Sequence, residues 1–455
     1  MIGWLINILG FLLAIGILVA VHEFGHFWVA RRVGVKVLRF SIGFGKPLIQ
    51  RVGKDGTEYV VAAIPLGGYV KMLDEREFEV PAAESHMAFN QKPLWARNAI
   101  ILAGPIFNFA LAILAYWVIA VAGSVEMRPV IGPVVSETPA EAAGFEEGDE
   151  ILAVNGRSVE AWDQAIISLI RAADGDAVEV AVERPDGRRV DRVLDLSQAR
   201  LLDEEGEALQ RIGFQPWQPQ IPPVIDDLVP GGAAAAAGLQ SGERILSVAG
   251  EPTADWTDLV EIVGDRPGEE VAVVVTGVTG ERTVTVSLQA RGDGEARRGV
   301  LGVTPRIPEG TFEDMRREVR HGPLAAIPRA LDSSWQAAAL TVEVLTKMVI
   351  GEASVRNLSG PINIAQYAGE TVSLGINPFL KFLAIVSISL GIINLLPVPV
   401  LDGGHLLYNL IEWIRGRPLS EAAQAFGQQI GIAILLMLMT LAFYNDILRL
   451  LTSGG

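Results

Sequence analysis

"WLINILGFLLAIGILVAVHEFGHFWVA" occupies residues 4–30 of the 455-residue chain. The run is almost free of charge and long enough to cross a bilayer, which takes about 20 apolar residues. Yet it ends in His22, Glu23 and His26. Ionisable groups inside a span are costly and persist mainly where they face a cavity with a task. The segment has no basic start, exceeds the apolar core of a secretory leader and shows no small-residue cleavage site before the histidines, so it reads as a retained helix. The histidines raise the question of what else the chain sends into lipid, and what meets them there.

Half of the residues are hydrophobic and the mean hydropathy is positive, so membrane segments are expected. Besides the opening run, three stretches qualify as spans: 99–122, 378–396 and 430–448. The stretch 331–350 is fairly apolar but carries Asp332, Glu343 and Lys347, and reads as an interfacial amphipathic helix with Trp335 anchored at the headgroups. The formal net charge of −16 is uneven: residues 28–97 hold 11 Lys/Arg against 7 Asp/Glu, whereas 123–376 hold 22 against 41. Basic loops favour the cytoplasm, which places 31–97 there and puts the amino terminus and the acidic middle on the other side. So acidic a middle argues against nucleic acid as a partner. Cysteine is absent, so any metal must be held by His, Asp or Glu.

The acidic middle is duplicated. "AAGFEEGDEILAVNGRSV" from Ala142 matches "AAGLQSGERILSVAGEPT" from Ala236 at an offset of 94 residues, and Trp162 and Trp256 continue the match. Each copy reads as a Gly-punctuated turn, a short buried strand, a helix from the Trp, and alternating strands. The pattern resembles a tandem pair of bacterial-type PDZ domains, less closely in the second copy, where Glu243 and Ala249 stand for Asp and Asn. Such domains take up peptide C-termini or extended segments at a sheet edge.

His22 and His26 stand four apart and share a helix face, so both imidazoles can reach one tetrahedral Zn2+, with Glu23 beside them to take a proton from bound water. A third ligand is needed. The third span runs into "NLLPVPVLDGGHLL", residues 394–407, and helix parity returns it to the side where the first span ended, so Asp402 can complete two nitrogens and one carboxylate with a position open for water. Pro397 and Pro399 break the helix, and Gly403 and Gly404 allow close backbone approach. His405 is set aside because a fourth protein ligand would close the site. His86 and His321 read as surface residues.

HExxH in the first span, NxxPxPxLDGG in the third and the PDZ pair between them resemble the site-two protease family of intramembrane zinc metalloproteases over essentially the whole chain. The implied fold is a polytopic α-helical membrane protein: four transmembrane helices with a membrane-associated β-hairpin, carrying two inserted α+β PDZ domains. The expected bounds are 1–122 for spans one and two with the hairpin, 123–218 and 219–308 for the PDZ domains, 309–376 for the interfacial helix and connector, and 377–455 for spans three and four. The resemblance makes His22, His26 and Asp402 the zinc ligands and Glu23 the general base. It also implies that Asn394 binds substrate or the developing oxyanion, and that Gly104 and Asn108 of "GPIFN" pack the active site. The stretch 40–72 corresponds to a hairpin that can pair with an unwound substrate.

The implied activity is cleavage of single-span membrane proteins, an anti-sigma factor or remnant signal peptide, after another protease has trimmed them, with the PDZ domains gating access. The setting would be the bacterial inner membrane, with the PDZ domains periplasmic and the active site near the cytoplasmic face. Two alternatives remain: a membrane-anchored PDZ scaffold without proteolytic activity, and a metal transporter.

Overall fold

The computed structural model describes residues 2–453 apart from 78, 173–176, 198, 200, 202–207, 279, 293–296, 352 and 356–358. Its contacts divide the chain into two units, 1–124 with 200–208 and 318–448, and 125–199 with 209–317 and 449–455.

The opening apolar run forms helix α1 (Ile2–Arg32), with Arg31 and Arg32 in its last turn. Trp4, Leu5, Leu9 and Leu13 are exposed along it, as suits a helix whose solvent is lipid. The chain turns at Gly34 (φ 77°) into an antiparallel hairpin, β1 (Val37–Val52) and β2 (Glu58–Met72), whose register shifts repeatedly. Its turn is tied back to α1 by Arg31 and Asp55 at 2.7 Å. Leu48, Ile49, Val52 and Ile64 on the hairpin are exposed. Helix α2 (Leu94–Ala122) returns, with Pro105 in its interior.

The second unit shows the duplication in three dimensions. The first copy is a four-stranded antiparallel sheet of β3 (Glu150–Val154), β4 (Arg157–Ser158), β5 (Val178–Glu183) and β6 (Arg189–Leu194) in the order β4-β3-β5-β6, with helix α3 (Trp162–Ala172). The second copy repeats it as β7 (Arg244–Val248), β8 (Glu251–Pro252), helix α4 (Trp256–Gly264), β9 (Glu270–Gly277) and β10 (Gly280–Ser287), in the order β8-β7-β9-β10. Matched backbones take matched left-handed angles: Gly144 and Gly238 (76° and 79°), Gly148 and Gly242 (90° and 87°), Asn155 and Ala249 (47° and 52°). Asp149 Oδ2 accepts from Glu146 N at 3.0 Å; Glu243 Oε2 accepts from Gln240 N at 2.8 Å, so the longer acid keeps the turn. The cores are β-branched and leucine-rich, Val178, Val180 and Val182 in one copy and Val271, Val273 and Val275 in the other.

Back in the first unit, α5 (Ala326–Ile350) is longer than the sequence suggests. Its Ala337, Ala338 and Leu345 pack with Ala112, Ala115 and Ala384, while Trp335 is 67% exposed. Helix α6 (Pro361–Leu374) follows, an element the sequence reading did not foresee. It crosses α1 so closely that a Cβ on Gly10 would lie 2.9 Å from the carbonyl oxygen of Ala368. Helices α7 (Ile376–Leu395), α8 (Asp402–Arg415) and α9 (Glu421–Ser453) follow. Asp446 of α9 caps α6, accepting from Gly360 N, Ile362 N and Asn363 N at 2.9, 2.9 and 3.2 Å. Among the described residues four helices are long and apolar enough to cross a membrane, and they coincide with the four expected spans.

Candidate metal centre

His22 and His26 present their rings edge to face from successive turns of α1, centroids 4.8 Å apart, and are 8% and 9% exposed. Their Nε2 atoms lie 3.2 Å apart. Asp402 Oδ2 lies 3.3 Å from His22 Nε2 and 3.5 Å from His26 Nε2. Among the described residues this is the group of histidines and acids whose donor atoms converge. Asp402 Oδ2 is buried and makes no hydrogen bond of acceptable geometry.

That arrangement suits a metal. A tetrahedral Zn2+ bound at about 2.0 to 2.1 Å sets neighbouring ligand atoms about 3.3 to 3.4 Å apart, because a tetrahedron's edge is about 1.63 times its centre-to-vertex length. The three observed separations bracket that edge. Two imidazoles and one carboxylate also match the donor set of an open hydrolytic site.

The chain places these groups by close backbone approach. Gly25, inside HExxH, would drive a Cβ into the carbonyl of Ala103, so α1 and α2 cross in near contact. A Cβ on Gly104 would overlap His26 Nε2 and lie 2.7 Å from His22 Cε1. His26 Nδ1 pairs with the carbonyl oxygen of Ile100 at 2.8 Å, just over one turn before Pro105 of the same helix. His22 Nδ1 meets the amide of the fully buried Asn108 at 3.1 Å.

Asp402 opens α8 after a sharp break from α7. Cβ atoms on Gly403 and Gly404 would strike the carbonyls of Leu395, Leu396 and Val398, and one on Gly431 of α9 would overlap that of Pro399. Between them Val400, a β-branched residue, is held at φ 105°, a conformation costing about 1–3 kcal/mol that the surroundings must impose. Arg97 of α2 grips Glu412 of α8 through two hydrogen bonds, 2.6 and 3.2 Å, and Asn409 donates to Asn98 at 2.7 Å. The helix that carries Asp402 is thereby fastened to α2.

Glu23 is half-buried and feels the charges of His26, His22 and Asp402. β2 touches it: a Cβ on Gly68 would fall 2.9 Å from Glu23 Cγ. Asn394 is half-buried in the last turn of α7. His405 lies one turn past Asp402, exposed and edge-on to Tyr408. Gly25, Gly68, the Ile100 carbonyl and the Arg97–Glu412 pair escaped the sequence reading, although a glycine between two histidines of an apolar helix is a trace of tight crossing.

Comparison with known proteins agrees on one lineage. The model of peptidase family M50 matches residues 10–438. Regulator of sigma-E protease RseP of Escherichia coli is 44% identical over 99% of this chain and 100% of its own length. The protein of the same name from Salmonella typhimurium is 43% identical over 99% and 100%. A relative from Vibrio cholerae, 42% identical over 98% of this chain and 99% of its own, carries the words zinc metalloprotease in its name. The PDZ domain of an SdrC-like protein from Listeria monocytogenes aligns with 18% of the chain and 85% of its own length at 17% identity and a TM-score of 0.16, too low to weigh on the fold.

Proposed function

We propose, for a chain that belongs to peptidase family M50 and is an intramembrane zinc metalloprotease, that His22, His26 and Asp402 hold the zinc and that Glu23 is the general base. One observation carries the reading: three donor atoms from two distant parts of the chain stand 3.2 to 3.5 Å apart, at the spacing one tetrahedral ion imposes. When bound, zinc lowers the pKa of a water it holds to about 7 and polarises the carbonyl under attack. Glu23 takes the proton of the attacking water and returns it to the leaving amine. Asn394 offers its amide N–H to the substrate carbonyl oxygen as negative charge gathers there. Gly104 and Asn108 keep α2 tight against the two imidazoles.

Its substrates are membrane proteins. We read them further as single-span proteins, an anti-sigma factor or remnant signal peptide, already shortened by another protease. A helical peptide hides its carbonyls, and the edge of the β1–β2 hairpin, which touches Glu23 through Gly68, can pair with an unwound strand. The duplicated sheets are the PDZ pair, 123–218 and 219–308, which gate entry and bind peptide ends or extended segments. Segments 1–122 and 377–455 supply the catalytic spans, with 309–376 as interfacial helix and connector. Arg31, Arg32 and the exposed Trp28, Trp95 and Trp413 suit the cytoplasmic boundary of the inner membrane, which sets the PDZ pair in the periplasm. The protease names of the relatives favour this over a bare scaffold.

In liposomes with a single-span substrate, Glu23→Gln should keep zinc and lose about 10²- to 10⁴-fold in cleavage, whereas Asp402→Ala should lose zinc. Cleavage by Glu23→Gln at the native rate would overturn the mechanism.

A further inference from the structure

Each imidazole of the metal centre leans its Nδ1 on α2, but the two partners differ. His26 faces the carbonyl oxygen of Ile100 at 2.8 Å, a pure acceptor. That ring therefore carries its hydrogen on Nδ1 and turns the lone pair of Nε2 toward Asp402. His22 faces instead the side-chain amide of Asn108, whose Nδ2 lies 3.1 Å from His22 Nδ1. Asn108 is fully buried, and its Oδ1 has no hydrogen-bond partner. Its backbone is pinned from α7, where Ser387 Oγ donates to the Asn108 carbonyl at 2.8 Å and a Cβ on Gly391 would lie 3.5 Å from Asn108 Cβ.

We propose that Asn108 is a positioning residue of the metal centre: its Oδ1 accepts the Nδ1 hydrogen of His22 and so keeps His22 Nε2 free to bind zinc. This rests on His22 being a ligand. A ring that gives Nε2 to a cation holds its hydrogen on Nδ1, and an amide N–H at that place would set two donors head to head. A half-turn of the amide, whose ends are nearly equal in size, brings the unpartnered oxygen there. Gly104 and Asn108 are one helical turn apart on α2, so the glycine admits the two rings and the amide orients one of them. His26 receives the same service from a backbone carbonyl, which no substitution can remove.

The test is zinc affinity of the full chain in detergent, by competition with a chelator, beside its thermal unfolding. Asn108→Asp keeps an acceptor but cannot donate; Asn108→Leu keeps the bulk and does neither. The expected result is zinc binding within a few-fold of native for Asn108→Asp and about 10- to 100-fold weaker for Asn108→Leu, with folding retained. A merely space-filling residue would show the opposite order or none. Native affinity in Asn108→Leu, or a folded Asn108→Asp that has lost zinc, overturns the proposal. If Asn108→Leu does not fold, Asn108→Asp alone decides. Asp402→Ala separates the layers: if it keeps zinc, the ligand reading fails and this inference with it, whereas an Asn108→Leu that keeps zinc beside an Asp402→Ala that loses it sinks the inference alone.

Discussion

Replacing Gly104 by alanine sets two opposite expectations against each other. In an ordinary helix interior the change stabilises by about 1 kcal/mol, because alanine restricts the unfolded chain and favours the helix. Here the added methyl would overlap His26 Nε2 and stand 2.7 Å from His22 Cε1. Ordinary carbon contacts begin near about 3.5 Å, so the His22 ring must retreat by roughly 0.8 Å and the His26 ring by more. Neither can swing freely, since both Nδ1 atoms are held, by Asn108 at 3.1 Å and by Ile100 at 2.8 Å. Metal–ligand distances tolerate about 0.2 Å, and a misplacement of about 1 Å costs on the order of 10²-fold in rate. Gly104→Ala should therefore bind zinc at least about tenfold more weakly and cleave about 100-fold more slowly, while its unfolding temperature without metal is unchanged or higher. Zinc content after dialysis, metal-free thermal unfolding and cleavage in liposomes read the three quantities. A variant that holds zinc like the native chain would show that α2 does not abut the ligands as described.

Other perturbations probe other joints. Arg97→Met strands Glu412, whose side chain is 19% exposed, and should destabilise by about 3 kcal/mol in thermal unfolding, with partial recovery in the exchange Arg97→Glu with Glu412→Arg. Ala249 sits at φ 52°, where alanine loses about 1 kcal/mol, and Ala249→Asn can place its Oδ1 on Ala272 N as Asn155 does on Glu179 N at 2.8 Å, so hydrogen exchange across Val271–Val275 should slow about fivefold. Burial alone would raise the carboxyl of Glu243, but hydrogen bonds from Arg282 at 2.9 and 3.0 Å hold it below the usual glutamate range. Its contribution is full above the unfolded value near about 4.3 and fades as pH falls through the lower folded value, so Glu243→Gln should weaken the second repeat at pH 7 and flatten its acid transition in hydrogen exchange.

Much of the site was legible because its chemistry conflicts with its surroundings. Two histidines four apart in an apolar run point to a shared ion, and the donor atoms of His22, His26 and Asp402 do converge. The repeat was legible through its glycines, whose left-handed angles recur in both copies. What escaped is carried by backbone. The Ile100 carbonyl leaves no mark in any side chain, and Gly25 and Gly68 look like small residues anywhere until the partner they touch is known. Helix α6 escaped because its cap, Asp446, comes from more than 80 residues downstream and its apolar content is diluted by Asn363, Gln366 and Glu370. The length of α5 was missed because its buried face is made of alanines, which hydropathy ranks weakly.

The three converging side chains come from opposite ends of the polypeptide. A ribosome adding about 5 to 20 residues per second needs roughly 20 to 75 s to travel from His26 to Asp402. On the proposed ligand set, His22 and His26 would wait through that interval for their third donor. On that reading the nascent chain would be inert beside other newly made membrane proteins until Asp402 has been delivered.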